Sequence, residues 1–216
     1  MIKINIPQIM NIREAGPMLS QVIELQEQER AAQGLLFSSE YLTGEDLSGI
    51  DYDQVEFEQC RFLNCGFHKV GFTNVRFKNC DLSNCNFENG YFSQVEFLSC
   101  KGVGSKFQNT TLKQVRFLDS NFSYSNFEHS KLQKVGITSS DFGTACLAEA
   151  VLKEIELKDV SLTKVDFFKT PLKGIDFRES RIEGITISDN YKELTGMVVD
   201  TYQAAELARL LGVEVK

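Results

Sequence analysis

A chain of 216 residues, 42% of them hydrophobic, has the length and apolar share of one ordinary folded domain, which excludes an intrinsically disordered segment. Thirty acidic side chains against 23 basic ones leave a formal net charge of −7, the wrong sign for a protein that binds nucleic acid directly. Seventeen phenylalanines beside no tryptophan point to one structural slot used many times.

The first residues, MIKINIPQIMNIREAG, hold no continuous apolar stretch of signal-peptide length, and no later segment reaches membrane-spanning length. A cytoplasmic location without a membrane partner is therefore expected. Residues 1–39 read as an N-terminal capping segment. Between Pro17 and Gly34 the composition suits a helix, with proline at its first position and glycine at its stop. An extended strand through SQVIELQ is the alternative. Either form would cover the open end of a repeat array, which such arrays require.

Residues 40–189 carry a repeat. From Leu42 to Ile187 a large apolar residue returns at every fifth position, and of these only Gly102 departs from the rule. Leu35 and Phe37 already fit one more unit. Two positions earlier the residue is mostly small or β-branched, as at Val55, Cys60, Cys65, Val70, Cys80 and Ser120. Five is the period of neither a helix nor a strand. A second period of twenty aligns Val55, Val75, Val95, Val115 and Val135, so four fives should close one square coil. Such a solenoid buries each unit against its neighbours. With coils about 4.8 Å apart, it forms a rod roughly 36 Å long, right-handed by analogy with parallel crossovers. Glu40 and Glu45 occupy small inward positions, so the first coil is expected to be irregular. A flattened or kinked face is expected at Gly102.

Residues 190–216 form the C-terminal segment. In DTYQAAELARLLGVEVK, Asp200 or Thr201 can cap a helix to about Leu211, which Gly212 ends. Ala204, Leu207, Leu210 and Leu211 form an apolar stripe. It can cap the last coil alone, or also pair with a second copy.

The units CDLSN, CNFEN, SNFSY, SNFEH and SDFGT resemble the pentapeptide-repeat family, whose members form right-handed quadrilateral β-helices. The fold class expected is an all-β solenoid of that kind with a short C-terminal α-helix. The ending YQAAELARLLGVEV is similar to that of the Qnr-type quinolone-resistance members. That resemblance implies a tail-to-tail homodimer through the terminal helix, with Tyr202, Ala204, Leu207, Leu210 and Leu211 at the interface. It also implies a DNA-mimicking dimer that engages DNA gyrase or topoisomerase IV and counteracts fluoroquinolones. The unbroken count of fives departs from members that carry loops, which leaves inhibition of gyrase without protection as an alternative.

The chemistry of catalysis is thin. His68 and His129 face outward with no evident partner, and the spacing of five and twenty between Cys60, Cys65, Cys80, Cys85 and Cys100 is no zinc pattern. Cys146 falls one position later, faces outward, and has no base beside it. No phosphate loop, nucleophile elbow or metal motif occurs. The expectation is a protein that is not an enzyme and that takes no cofactor or metal. Function then falls to the outer surface. Two adjoining chains carry twice the −7 of one, whereas duplex DNA of dimer length would need on the order of forty charges. Mimicry can only be local, and the acids expected to supply it are Asp119, Glu156, Asp159, Asp176 and Glu179. A scaffold unrelated to topoisomerases would instead use the outward apolar residues Leu98, Leu118 and Phe168.

Overall fold

One residue in each five adopts the left-handed backbone, at every fifth position without a break from Gln54 to Gly174. Asparagine and glycine enter that region at least cost. Asn64, Asn74, Asn79, Asn84, Asn89 and Asn109 do so with φ between 52° and 59°. Each such residue bends the chain at a corner, and four corners bring residue i beside residue i+20: Val75 pairs with Val95, Val95 with Val115, and Val115 with Val135. The computed structural model, which describes residues 2–215, is a β-solenoid of about 8 turns with two helices.

The strands arise from that register. The chain opens with β1 (Arg13–Glu14) and α1 (Met18–Glu27), then β2 (Ala32–Gln33), β3 (Leu35–Ser38), β4 (Tyr41–Thr43), β5 (Tyr52–Asp53), β6 (Glu56–Glu58) and β7 (Arg61–Leu63). Longer strands come next: β8 (Gly71–Lys78), β9 (Tyr91–Leu98), β10 (Thr111–Leu118), β11 (Lys131–Asp141) and β12 (Val151–Ser161). A two-residue β13 (Ser180–Arg181) and helix α2 (Thr201–Leu210) complete the order. All pairing is parallel, and β8 to β12 stack in sequence order. The rod begins before residue 40, because β3 already pairs with β6 and β2 with β5.

Two of the four faces are open strand and two are hydrogen-bonded turns. The residue before each central apolar position makes much of the difference. At Asp81, Asn86, Asn121, Asn126, Asp141 and Asp166 the side-chain oxygen accepts the backbone N–H two residues on. This Asx geometry favours a turn. The two faces that β8 to β12 build carry Gly, Arg, Tyr, Glu, Thr, Lys or Val there, none of which accepts such a bond, and run as strands.

The core is a set of ring stacks. Phe57, Phe77, Phe97 and Phe117 lie with centroids 4.8, 5.0 and 4.9 Å apart, and Phe67, Phe87, Phe107 and Phe127 at 5.2, 4.8 and 4.7 Å. The small inward residues close the space between columns. The thiols of Cys60, Cys80 and Cys100 donate to the carbonyls of Phe37, Phe57 and Phe77 one coil back, each at 3.3 Å. All six cysteines are free thiols. Beyond Phe142 leucine replaces phenylalanine at four successive central positions, and a void of about 30 Å³ opens among Phe142, Leu147 and Leu157.

Gly102 does not kink the rod. Its N–H bonds Asn121 at 2.7 Å and the next coil stays in register. The ring of Phe122 fills the space a side chain would need: a Cβ on Gly102 would stand 2.3 Å from Phe122 Cε1.

Both ends of the core are covered. Helix α1 buries Met18 and Val22 over the first coil. The carboxylate of Glu40, anomalous as an inward residue, accepts the Met18 N–H at 3.0 Å and so caps the positive end of that helix. At the other end the repeat slips by two residues at a 3-10 turn (Lys192–Leu194), after which Asp176 pairs with Val198. The rod therefore continues past residue 189. Glu193 is buried in that turn, where its Oε1 accepts the N–H groups of Lys169 (2.8 Å) and Ser188 (3.2 Å). Burial alone would raise its pKa, but these bonds outweigh it and hold the carboxyl below its ordinary value.

Candidate functional site

Side chains fill nearly all of the interior, so what this rod presents to other molecules is its outer surface. On the face of β8 to β10, column 56–116 alternates in sign. Arg76 meets Glu56 at 3.2 Å and Glu96 at 2.9 Å, and Arg116 meets Glu96 at 3.2 Å. Glu96 is buried between its two cations. This stretch is thus internally neutralised, which the summed charge of the face does not reveal.

The first residues lie along the same face. The Ile2 N–H donates to Glu156 Oε2 at 2.8 Å, Asn5 N–H to Gln114 Oε1 at 3.3 Å, and Ile4 Cδ1 occupies the place where Gly136 lacks a side chain. Pro7 is buried. The arm therefore runs from the coil of β12 back toward the first coil, where β1 pairs with β3.

Next to the end of this arm the sheet opens. β12 is paired along its length with β11, but with β13 only at Val160 and Ser161. Among the described residues no backbone hydrogen bond joins 151–158 to 171–178. Two residues explain the break. In the register of coils before it, Lys131 and Val151 donate their N–H groups to the preceding coil, and Pro171, the next residue in that column, has none to give. Asp176 then accepts the Arg178 N–H at 3.1 Å and turns a face that every coil from β3 to β12 built as strand. The resulting crevice, about 700 Å³, has Leu152, Ile155 and Leu157 half-buried on one wall. Pro171 and Asp176, each out of keeping with its column, are the sequence signals that mark it.

The five acids singled out in the sequence divide accordingly. Glu156, Asp176 and Glu179 line the crevice. Asp159 is exposed beside it, and its N–H bonds the Glu179 carbonyl at 2.9 Å. Asp119 lies two coils away in the column of Asp159, in a separate corner groove. Glu156 is engaged by Ile2, and Asp176 by Arg178 at 2.7 Å. Hydrogen bonds from Arg178 hold the Asp176 carboxyl below its ordinary pKa. Asp119, Asp159 and Glu179 form no ion pair among the described residues.

The apolar candidates do not form one surface. Leu98 and Leu118 stack in register, both half-buried. Phe168 belongs to the opposite face, where Lys169 Nζ sits 4.9 Å above its ring.

Helix α2 is fixed to the last coil by Gln203, whose side-chain amide donates to the Phe177 and Ser180 carbonyls at 2.8 and 2.7 Å. Asp200 and Gln203 form a capping box. Of the interface candidates, Leu207 packs against the core, whereas Tyr202, Ala204, Leu210 and Leu211 face outward. Tyr202 is 87% exposed, and Val213 and Val215, beyond the helix, are exposed apolar residues as well.

Among the described residues no three of His, Cys, Asp and Glu gather as metal ligands. Cys146 is half-buried, and burial pushes its thiol above the ordinary pKa, away from the reactive thiolate. His129 does have partners, Glu128 at 3.7 Å and Glu149 at 3.6 Å. No helix among the described residues is long and apolar enough to cross a membrane.

Comparison with known proteins bears on the repeat and the fold. Residues 50–127 and 70–145 match the family profile described as pentapeptide repeat region. No curated protein matches the chain. Among solved structures, a trypsin-treated variant of QnrB1, a plasmid-mediated fluoroquinolone resistance protein, is 22% identical with a TM-score of 0.60 over 87% of this chain and 94% of its own. Full-length QnrB1 is 19% identical with a TM-score of 0.47, over 86% and 95% of the two chains. HetL, involved in heterocyst differentiation regulation in the cyanobacterium Nostoc, is 12% identical with a TM-score of 0.37, over 83% and 91%.

Proposed function

We propose that this pentapeptide-repeat protein binds a type II topoisomerase, DNA gyrase or topoisomerase IV, as a DNA-mimicking homodimer and protects it from fluoroquinolones. The observation that carries the reading is the end of the rod. A rigid α2, clamped by Gln203, leaves Tyr202, Leu210 and Leu211 in water next to the coils that carry Asp159 and Glu179. An apolar patch of this kind on a folded chain marks an interface, and a two-fold contact there would bring the acids of two copies to the centre of a longer rod. The fold shared with QnrB1, itself a fluoroquinolone resistance protein, supports the same assignment.

Two measurements test it. Leu211→Arg with Tyr202→Glu should convert a dimer to a monomer in sedimentation velocity, with an unchanged far-ultraviolet spectrum. A wild-type chain that sediments as a monomer removes the dimer. Supercoiling by gyrase at an inhibitory fluoroquinolone level, with the protein titrated in, should recover. Inhibition without recovery keeps the partner and discards protection. No effect at any ratio discards the topoisomerase. Asp159→Lys with Glu179→Lys should weaken the recovery, more strongly at low salt.

A further inference from the structure

We propose that the crevice between β12 and residues 171–179 takes an extended peptide segment of a partner protein, one bearing lysine or arginine at alternate positions. The crevice shares Glu156, Asp176 and Glu179 with the acids of the topoisomerase reading, but peptide binding and gyrase supercoiling are separate assays, and either reading can fail without the other.

A parallel coil satisfies its backbone by giving N–H groups backward and forward to its neighbours. At residues 151–158 the forward half is missing, because Pro171 has no N–H and Asp176 has turned the next coil away. Backbone donors and acceptors along a strand edge are satisfied by pairing with another extended chain. Edges in native sheets are ordinarily closed or shielded. Here the preceding coils are closed by the same 20-residue register, so the opening is local.

The walls define the occupant. Side chains of an added strand alternate between the two sides. One set would meet the half-buried Leu152, Ile155 and Leu157, which calls for apolar residues. The other would meet the rim, where Glu154, Glu156, Asp176 and Glu179 stand beside Lys173 and Arg178. Arg178 is bound to Asp176, Lys134 lies 3.9 Å from Glu154, and Ile2, at one end of the crevice, bonds Glu156. Glu179 is thus the rim acid whose carboxylate has no ion pair or hydrogen bond of its own among the described residues. Charge complementarity therefore selects a cationic, alternating segment over an acidic one. The crevice volume of about 700 Å³ is ample for several side chains.

The test uses the full chain and a blocked Lys-Val-Lys-Val-Lys-Val peptide, with binding monitored by calorimetry and hydrogen exchange. Binding should slow amide exchange within residues 151–158. Two control peptides should fail: Glu-Val-Glu-Val-Glu-Val, which has the wrong charge, and Lys-Pro-Lys-Pro-Lys-Pro, which lacks half the N–H donors. Glu154→Lys with Glu179→Lys should weaken the Lys-Val peptide by about ten-fold or more, with an unchanged melting temperature as the check on folding. Equal binding of the proline peptide, or exchange protection elsewhere on the rod, would reduce the effect to surface charge and overturn the proposal. No binding of the Lys-Val peptide by the wild-type chain would overturn it as well.

Discussion

Phe97→Ala is expected to lower the unfolding free energy by about 3–5 kcal/mol, the usual cost of truncating a buried phenylalanine. The side chain is fully buried. It stacks on Phe77 and Phe117 at 5.0 and 4.9 Å and meets Phe122 edge-on at 5.3 Å. A solenoid supports each coil only through its neighbours, and rings in a column cannot close a gap without leaving the strand register that Val95 and Val115 hold. The cavity should therefore persist, which places the cost toward the upper part of that range. Urea unfolding monitored by circular dichroism measures it, with the slope recorded to show that the same surface is exposed. Leu152→Ala is the comparison. That residue is half-buried at the crevice and should cost clearly less. Equal losses at the two positions would mean that the ring stack is not what holds the middle of the rod.

Gly102→Leu should destabilise the protein by about 1–3 kcal/mol, the range for overfilled cores. The sign is the informative part. In the repeat, position 102 is the one gap in a column of large residues, and restoring leucine there looks like a repair. In the folded chain Phe122 already occupies the space, with its Cδ1 2.5 Å from where the new Cβ would be. Backbone has no room to yield, since Gly102 N–H is bonded to the Asn121 carbonyl. Gly102→Leu combined with Phe122→Leu should recover most of the loss, a coupling that two independent sites would not show. A stabilised Gly102→Leu variant would mean that Phe122 has another resting place.

The period of five determined much of this protein by itself. One residue in five must turn a corner, one must fill the interior and one must be small. That much fixes the coil, because every unit obeys the same local rule and the same pairing distance. The count of fives did not assign the corners or the turn faces: the structure places the left-handed corner at Asn64, Asn74, Asn79, Asn84 and Asn89, and the Asx bonds that separate turn from strand at Asp81 and Asn86. Helix α2 was legible for a related reason, since its cap is local: Asp200 and Gln203 are three residues apart. Residues 17–34 allowed both helix and strand until packing decided. Met18 and Val22 had a core end to cover, and Glu40 stood where the helix N-terminus needed a carboxylate.

Tertiary structure alone settled the surface. Charges summed by face count Glu56 and Glu96 as acidic, yet neighbours twenty residues away neutralise them. Which acids stay free depends on what crosses them, and Ile2 reaching Glu156 spans 154 residues of sequence. The crevice beside β12 needed both Pro171 and Asp176 to act on a strand one coil earlier. A local rule specifies how each unit folds, but contacts between distant segments decide which groups remain for a partner.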